Sequence, residues 1–188
     1  MRVKSRWNRR AKPQSLEEIA GALSFINWKI ATHGVLELEN QGYTTHSQAH
    51  RLQIIAEFLV FLFHVTDRFI YARLSAAERQ QFMSALALRM ADTYADNQSE
   101  VSGNAYEGYR QDFIEQLNQQ GNDYATLSFS EEAAGFDFLR YFGARIEAVM
   151  EERHWVSQYI LSIEGPNAVQ TLNSSLKNLL ARKSPNAQ

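Results

Sequence analysis

Apolar positions recur along this chain at three- and four-residue steps, in one segment after another. Leu16, Ile19, Ala20, Leu23, Ile26, Ile30, Gly34 and Leu38 form one stripe, because a helix of 3.6 residues per turn returns side chains to the same face at those intervals. Ser15-Leu16-Glu17-Glu18 opens that helix as a capping box, in which the serine accepts from an orphan amide and a glutamate reaches back. Gly42 closes it, and Thr44 or Thr45 is placed to cap a second helix running to Leu74. Ser75-Ala76-Ala77-Glu78 is another capping box and predicts a third helix to Asn97, with Gln98–Asn104 as a polar linker. A fourth helix carries Tyr106, Tyr109, Phe113, Ile114 and Leu117 and closes at Gly121. Ser130-Glu131-Glu132 opens a fifth with Leu139, Phe142, Ile146 and Val149 as its stripe, which breaks near His154 or continues through Trp155, Tyr159 and Ile163. Glu164-Gly165-Pro166 punctuates the chain before a last helix bearing Val169, Leu172, Leu176 and Leu179.

These elements predict an all-α, single-domain bundle of six or seven helices. Residues 13–182 make the bundle, residues 1–12 a basic, flexible N-terminal arm, and residues 183–188 a loose C-terminal tail. With 188 residues, 45% of them hydrophobic, the chain buries enough surface to need no crosslink. The absence of cysteine excludes disulfides, thiolate metal sites and a cysteine nucleophile.

The second helix predicts its own position. Ile54, Ile55, Phe58, Leu59, Phe61, Leu62, Phe63, Val65, Phe69 and Ile70 cover nearly its whole circumference, so it is the largely buried, central element. Its polar residues fall on one narrow stripe that includes Glu57, His64 and Tyr71, with Asp67 at the edge. Such groups need water or polar partners, since burying them alone costs several kcal/mol each. The stripe is a sliver of solvent-facing surface, an internal network reaching Arg140 or Arg145 of the fifth helix, or a polar cleft or metal site.

The first helix is apolar on two sides. Phe25, Trp28, Val35 and Leu36 lie opposite its core stripe, so either the C-terminal helices fold over them or they form the contact face of a homodimer.

Two pairs of groups have metal-ligand spacing. His33 and Glu37 on the first helix, and His46 and His50 at the start of the second, are each four residues apart and so share a face. In an antiparallel hairpin around Gly42 all four converge near its closed end, a set suited by ligand type to a divalent transition metal. No glycine-rich phosphate loop, nucleophile elbow or dinucleotide fingerprint occurs, so no nucleotide cofactor is expected.

Charge is unevenly spread. The chain has 19 Lys+Arg and 21 Asp+Glu. Arg2, Lys4, Arg6, Arg9, Arg10 and Lys12 carry +6 with no acid among them, which leaves 13 basic against 21 acidic residues, or −8, on the remainder. Such an arm would contact phosphate or an anionic membrane surface without sequence specificity, or remain a solvated terminus. Ser15–Leu23 is similar to the first helix of a helix-turn-helix, but Ser24-Phe25-Ile26-Asn27-Trp28 continues the helical pattern where the turn belongs. No apolar region follows the arm, as a secretory signal requires. The most apolar run, Ile54–Phe63, is half the length of a membrane span and contains Glu57. A cytoplasmic location follows as an expectation.

Three functions are compatible with these features. The first is a non-enzymatic interaction or regulatory protein acting as a homodimer; its protein partner, beyond itself, is unknown. The second is a metal-binding bundle with hydrolytic or redox chemistry. The third is nucleic-acid association through the arm.

Overall fold

The computed structural model describes residues 14–130, 133–150 and 155–183. They form helices α1 (Leu16–Asn40), α2 (Gln48–Ile70), α3 (Ala76–Ser102), α4 (Gly108–Thr126), α5 (Phe136–Met150) and α6 (Val156–Tyr159). A π-helical turn, Ile160–Glu164, joins α6 without interruption to α7 (Gly165–Leu180). With that last segment taken as one helix, six helices pack together among the described residues. The described residues contain no β-strand, only two isolated bridges, Gln14 with Lys183 and Phe129 with Ala134.

Helix α2 is central. It packs on α1, α3, α4, α5 and α7, and its buried residues run from Leu52 to Ile70 on every side. The aromatic centre lies between α2 and α5. The Phe61 and Phe142 rings stack with centroids 4.0 Å apart, and Phe58 meets Phe142 edge-on at 4.9 Å. Rings in offset or edge-to-face contact add to what their burial supplies.

Both capping boxes form, at Ser15–Glu18 and Ser75–Glu78. Gly42, at φ 90°, ends α1 in a Schellman turn, with the Tyr43 amide donating to Leu38 O at 3.1 Å and the Gly42 amide to Glu39 O at 3.0 Å. Helix α1 runs unbroken through Ser24–Trp28, so the helix-turn-helix likeness ends there. The α1–α2 hairpin is antiparallel and tied by Arg51 Nη2 to Glu39 Oε2 at 2.7 Å.

Several boundaries differ from those the sequence predicts. Helix α2 starts at Gln48, because Ser47 and not a threonine caps it, accepting from the His50 amide. Helix α3 continues through the polar stretch to Ser102 and stops at Gly103, which is left-handed at φ 66°. Polarity there marks an exposed helix end rather than a linker. Gly121 lies inside α4, since its missing Cβ makes room for the His64 ring; a Cβ would sit 3.0 Å from His64 Cε1. Ser130 does not open α5 but exchanges hydrogen bonds with Ala133, and α5 begins at Phe136. Lys183 is held rather than loose: its Nζ pairs with Glu78, and the Gln14 amide donates to Arg182 O beside it at 2.9 Å. The arm, residues 1–12, and the last five residues of the tail lie outside the described residues.

Gly165-Pro166 does not separate two helices. Proline has no amide to donate, and its ring excludes the carbonyl four residues back, so the helix widens by one residue per turn there. The Gly165 amide accordingly reaches Ile160 O, five residues back. A side chain at Gly165 would strike that oxygen, since a Cβ would come within 2.7 Å of it.

Helices α1 and α2 approach closely at Gly34, where a Cβ would lie 2.5 Å from two atoms of the fully buried Phe58 ring. Gly34→Ala therefore lowers stability by about 1–2 kcal/mol, although alanine favours helix by about 1 kcal/mol, because the ring has no free space to move into. Urea denaturation of the two proteins measures the difference.

Candidate functional site

Among the described residues two glutamates are buried, and they differ in what answers them. Glu57, on α2 and 2% exposed, is fully partnered. Arg145 of α5 grips it with both a 2.7 Å and a 3.2 Å hydrogen bond, and Gln116 and Gln120 of α4 each donate at 2.9 Å. Four donors from two helices fill both oxygens, as a buried charge requires. The polar stripe of α2 is thus an internal network at this point, with Arg145 and not Arg140 as its cation; Arg140 pairs with Asp137 on its own helix.

The rest of the stripe is also engaged. His64 Nε2 donates to Leu117 O at 3.2 Å and its ring stacks on Tyr124. Burial draws the His64 pKa down to about 4, against a smaller upward pull from the Leu117 carbonyl and Asp67. Asp67 forms a two-pronged pair with Arg79 at the start of α3, and the Arg79 guanidinium covers the exposed Tyr71 ring. Arg68 donates to Tyr124 O and Ala125 O at 2.9 and 3.0 Å, satisfying carbonyls at the C-terminal end of α4, where a cation also meets the helix dipole. The candidates Glu57, His64, Asp67 and Tyr71 therefore lie on one helix without forming one site.

The four metal candidates do not converge. Among the described residues no three His, Asp or Glu side chains are grouped to hold a metal ion. His46 precedes α2, so it does not share a helical face with His50. The two rings stack instead, and His50 accepts from the His46 amide through Nδ1 at 3.1 Å while its Nε2 donates to Val149 O at 3.1 Å. Both ring nitrogens of His50 are thereby occupied by backbone groups, which leaves no lone pair for a metal. His33 and Glu37 turn to the other side of α1, 3.8 Å apart.

There they meet the second buried carboxylate. Between α1 and the segment α6–π–α7 runs a groove of about 670 Å³. Ile26 and Ile30 of α1 face Ile163 and Ala168 along its apolar part. Its polar end is formed by His33 and Glu37 on one wall and Tyr159 and Glu164 on the other. Glu164 is 5% exposed, and among the described residues its carboxylate makes no hydrogen bond and no close ion pair. Burial raises its pKa above the ordinary glutamate range; His33 draws it down and Glu37 pushes it up. The Tyr159 phenol is raised by burial and by the same two carboxylates. A π-turn inside an otherwise regular helix is itself a frequent marker of functional sites, and Glu164 is its last residue.

Sequence reasoning placed His33 and Glu37 among its candidates and missed Glu164. A signal was present: Ile160, Glu164, Ala168, Leu172 and Leu176 are spaced by four, an apolar stripe with one carboxylate in it. Reading Gly165-Pro166 as a break hid that continuity.

The proposed contact face is smaller than four residues. Val35 is 1% exposed and belongs to the core, and Trp28 is half-buried against it. Both turn toward a cleft shared with α2 and α3, while α7 packs on a different side of α1. Phe25 and Leu36 remain 59% and 49% exposed, with Lys29 Nζ 4.7 Å above the Phe25 ring. The anion-binding candidates Arg2, Lys4, Arg6, Arg9, Arg10 and Lys12 lie outside the described residues.

Two measurements check these assignments. Arg145→Met leaves the Glu57 carboxylate buried and short of its cation, and costs about 2–4 kcal/mol in urea denaturation. Glu57→Gln costs less than that, because the guanidinium it frees is partly exposed and becomes hydrated. For His64, the folded chain resists protonation down to about 4, against the ordinary 6.5 of the unfolded chain. The unfolded state therefore binds the extra proton in that window, and stability falls as pH drops through it, by at most about 3 kcal/mol. His64→Gln removes this part of the pH dependence, read as the difference between two stability curves from pH 7 to pH 4.

A scan against family models and searches of curated proteins and of solved structures return no significant match to this chain.

Proposed function

We propose that this protein is a binding module that holds a small amphipathic molecule in the groove between α1 and the α6–π–α7 segment. One observation carries the reading: Glu164, a nearly buried residue, ends a π-turn and accepts no hydrogen bond among the described residues, at the acidic end of a groove whose exposed lining is mostly apolar. Ligand sites are concave, mostly apolar, and furnished with a few convergent polar groups of shifted acidity. The groove has each of those properties, and its volume of about 670 Å³ is within the usual range for small molecules. A second cleft, about 310 Å³ beside Glu57, lacks the key one, since the carboxylate there is already saturated by its own neighbours.

This reading fits the expectation of a non-enzymatic interaction protein, with the partner now a small molecule. The homodimer expectation keeps only Phe25 and Leu36 exposed from its four residues. A lasting interface of about 800 Å² per partner needs more than two such side chains, so the groove is the stronger basis.

1-Octanol is a suitable neutral probe. In a methyl-detected NMR titration its binding shifts the signals of Ile26, Ile30 and Ile163 together and leaves those of Ile54 and Ile146, in the core between other helices, in place. Asn167→Trp, at an exposed groove-lining position of α7, puts an indole across the opening and abolishes the shifts without lowering stability. Uniform small shifts over the whole molecule, unchanged by Asn167→Trp, would overturn the reading.

A further inference from the structure

The two ends of the groove ask for different chemistry in one molecule. Along α1 the lining runs from Ile26 and Ile30, with Lys29 between them, to His33 and Glu37 over about 16 Å, so it becomes acidic toward one end. The opposite wall changes in the same sense, from Ala168 to Glu164 and Tyr159. At the polar end two carboxylates face each other from different elements, and each raises the proton affinity of its surroundings.

His33 and Lys29 line the same groove, and neither makes a hydrogen bond to Glu164 among the described residues. His33 is exposed and lies 3.8 Å from Glu37. Lys29 belongs to the other end of the groove, where its ammonium lies over the Phe25 ring. Glu164 accepts no hydrogen bond among the described residues, and its carboxylate opens onto the groove, where a bound donor can reach it.

Resting on the reading of this groove as a ligand site, we propose that its occupant is a primary alkylammonium, with its hydrocarbon chain along Ile26, Ile30 and Ile163 and its charged nitrogen between Glu37 and Glu164. An ammonium brings three N–H donors to a place where two carboxylates are available as acceptors. It also places positive charge beside the Tyr159 ring, which lies tilted against Tyr43 with centroids 6.2 Å apart. An alcohol supplies one donor and no charge. A carboxylate head would meet two like charges at close range.

Octylamine, 1-octanol and octanoate share a chain length and differ only in the head, so they separate this proposal from the one it rests on. In the same methyl NMR titration at pH 7, with the full chain, octylamine binds about tenfold or more tighter than 1-octanol, the worth of one charge-assisted hydrogen bond. Octanoate binds more weakly than either. Glu164→Gln keeps the shape of the side chain, removes its charge, and brings octylamine down to the affinity of 1-octanol while leaving 1-octanol unchanged. If Glu164→Gln does not fold, Glu37→Gln, at a half-exposed position, gives the same test and lowers octylamine affinity alone.

Octylamine binding no tighter than 1-octanol, or keeping its advantage in the glutamine variants, overturns the ammonium proposal and leaves the groove as a ligand site. Failure of all three probes to shift the groove methyls removes both.

Discussion

A helix that is apolar around its whole circumference has to be enclosed, and α2 imposes that requirement on every other helix of the bundle. Each fully buried side chain of the Leu or Phe size is worth about 1.5–3 kcal/mol, and α2 offers them on all sides, from Leu52 to Ile70. Five helices accordingly surround it. The enclosure also traps α2's polar residues, and the architecture follows from how each is answered. Glu57 draws Arg145 of α5 and two glutamines of α4 to one point. His64 brings the α4 backbone close enough that position 121 has no room for a side chain, and Arg68 ties down the end of that helix.

Glu57 and Glu164 together show how a buried charge divides between structure and function. Both are carboxylates, both nearly inaccessible. The first is saturated by four donors and orders three helices. The second is the last residue of a π-turn and lines the groove between α1 and α7, with no hydrogen bond among the described residues. A carboxylate that accepts no hydrogen bond among the described residues and opens onto a groove of about 670 Å³ concentrates binding potential there.

Much of the candidate site could be seen in the chain, but only in pieces. His33 and Glu37 stood out by their four-residue spacing, and they do share a face. Their companions were misassigned, because spacing shows which side chains lie together on one helix and says nothing of the rotation of that helix against the next. Hence His50, level with them along the hairpin, spends both ring nitrogens on backbone groups, one of them Val149 O of α5, and the His46 ring stacks on it, while the third member, Glu164, comes from the far end of the sequence. Val35 was misjudged for a related reason: it lies off the main stripe of α1 yet faces α3, which covers a second side of that helix.

What the sequence determined by itself were the local matters: the helical period, the two capping boxes, the stop at Gly42, and the central place of α2. These depend on residues a few positions apart, whose hydrogen bonds and sterics are settled within one turn. Tertiary structure alone decided which buried polar groups found partners, that Gly121 serves packing and not termination, and that Gly165-Pro166 widens a helix instead of ending it. The first two turn on neighbours distant in the chain, such as His64 for Gly121; in the third the proline is local, and what continues the helix past it includes the packing of Leu139 beside Gly165. Local propensity has no means of anticipating such contacts, because they exist only once the helices have taken their rotations.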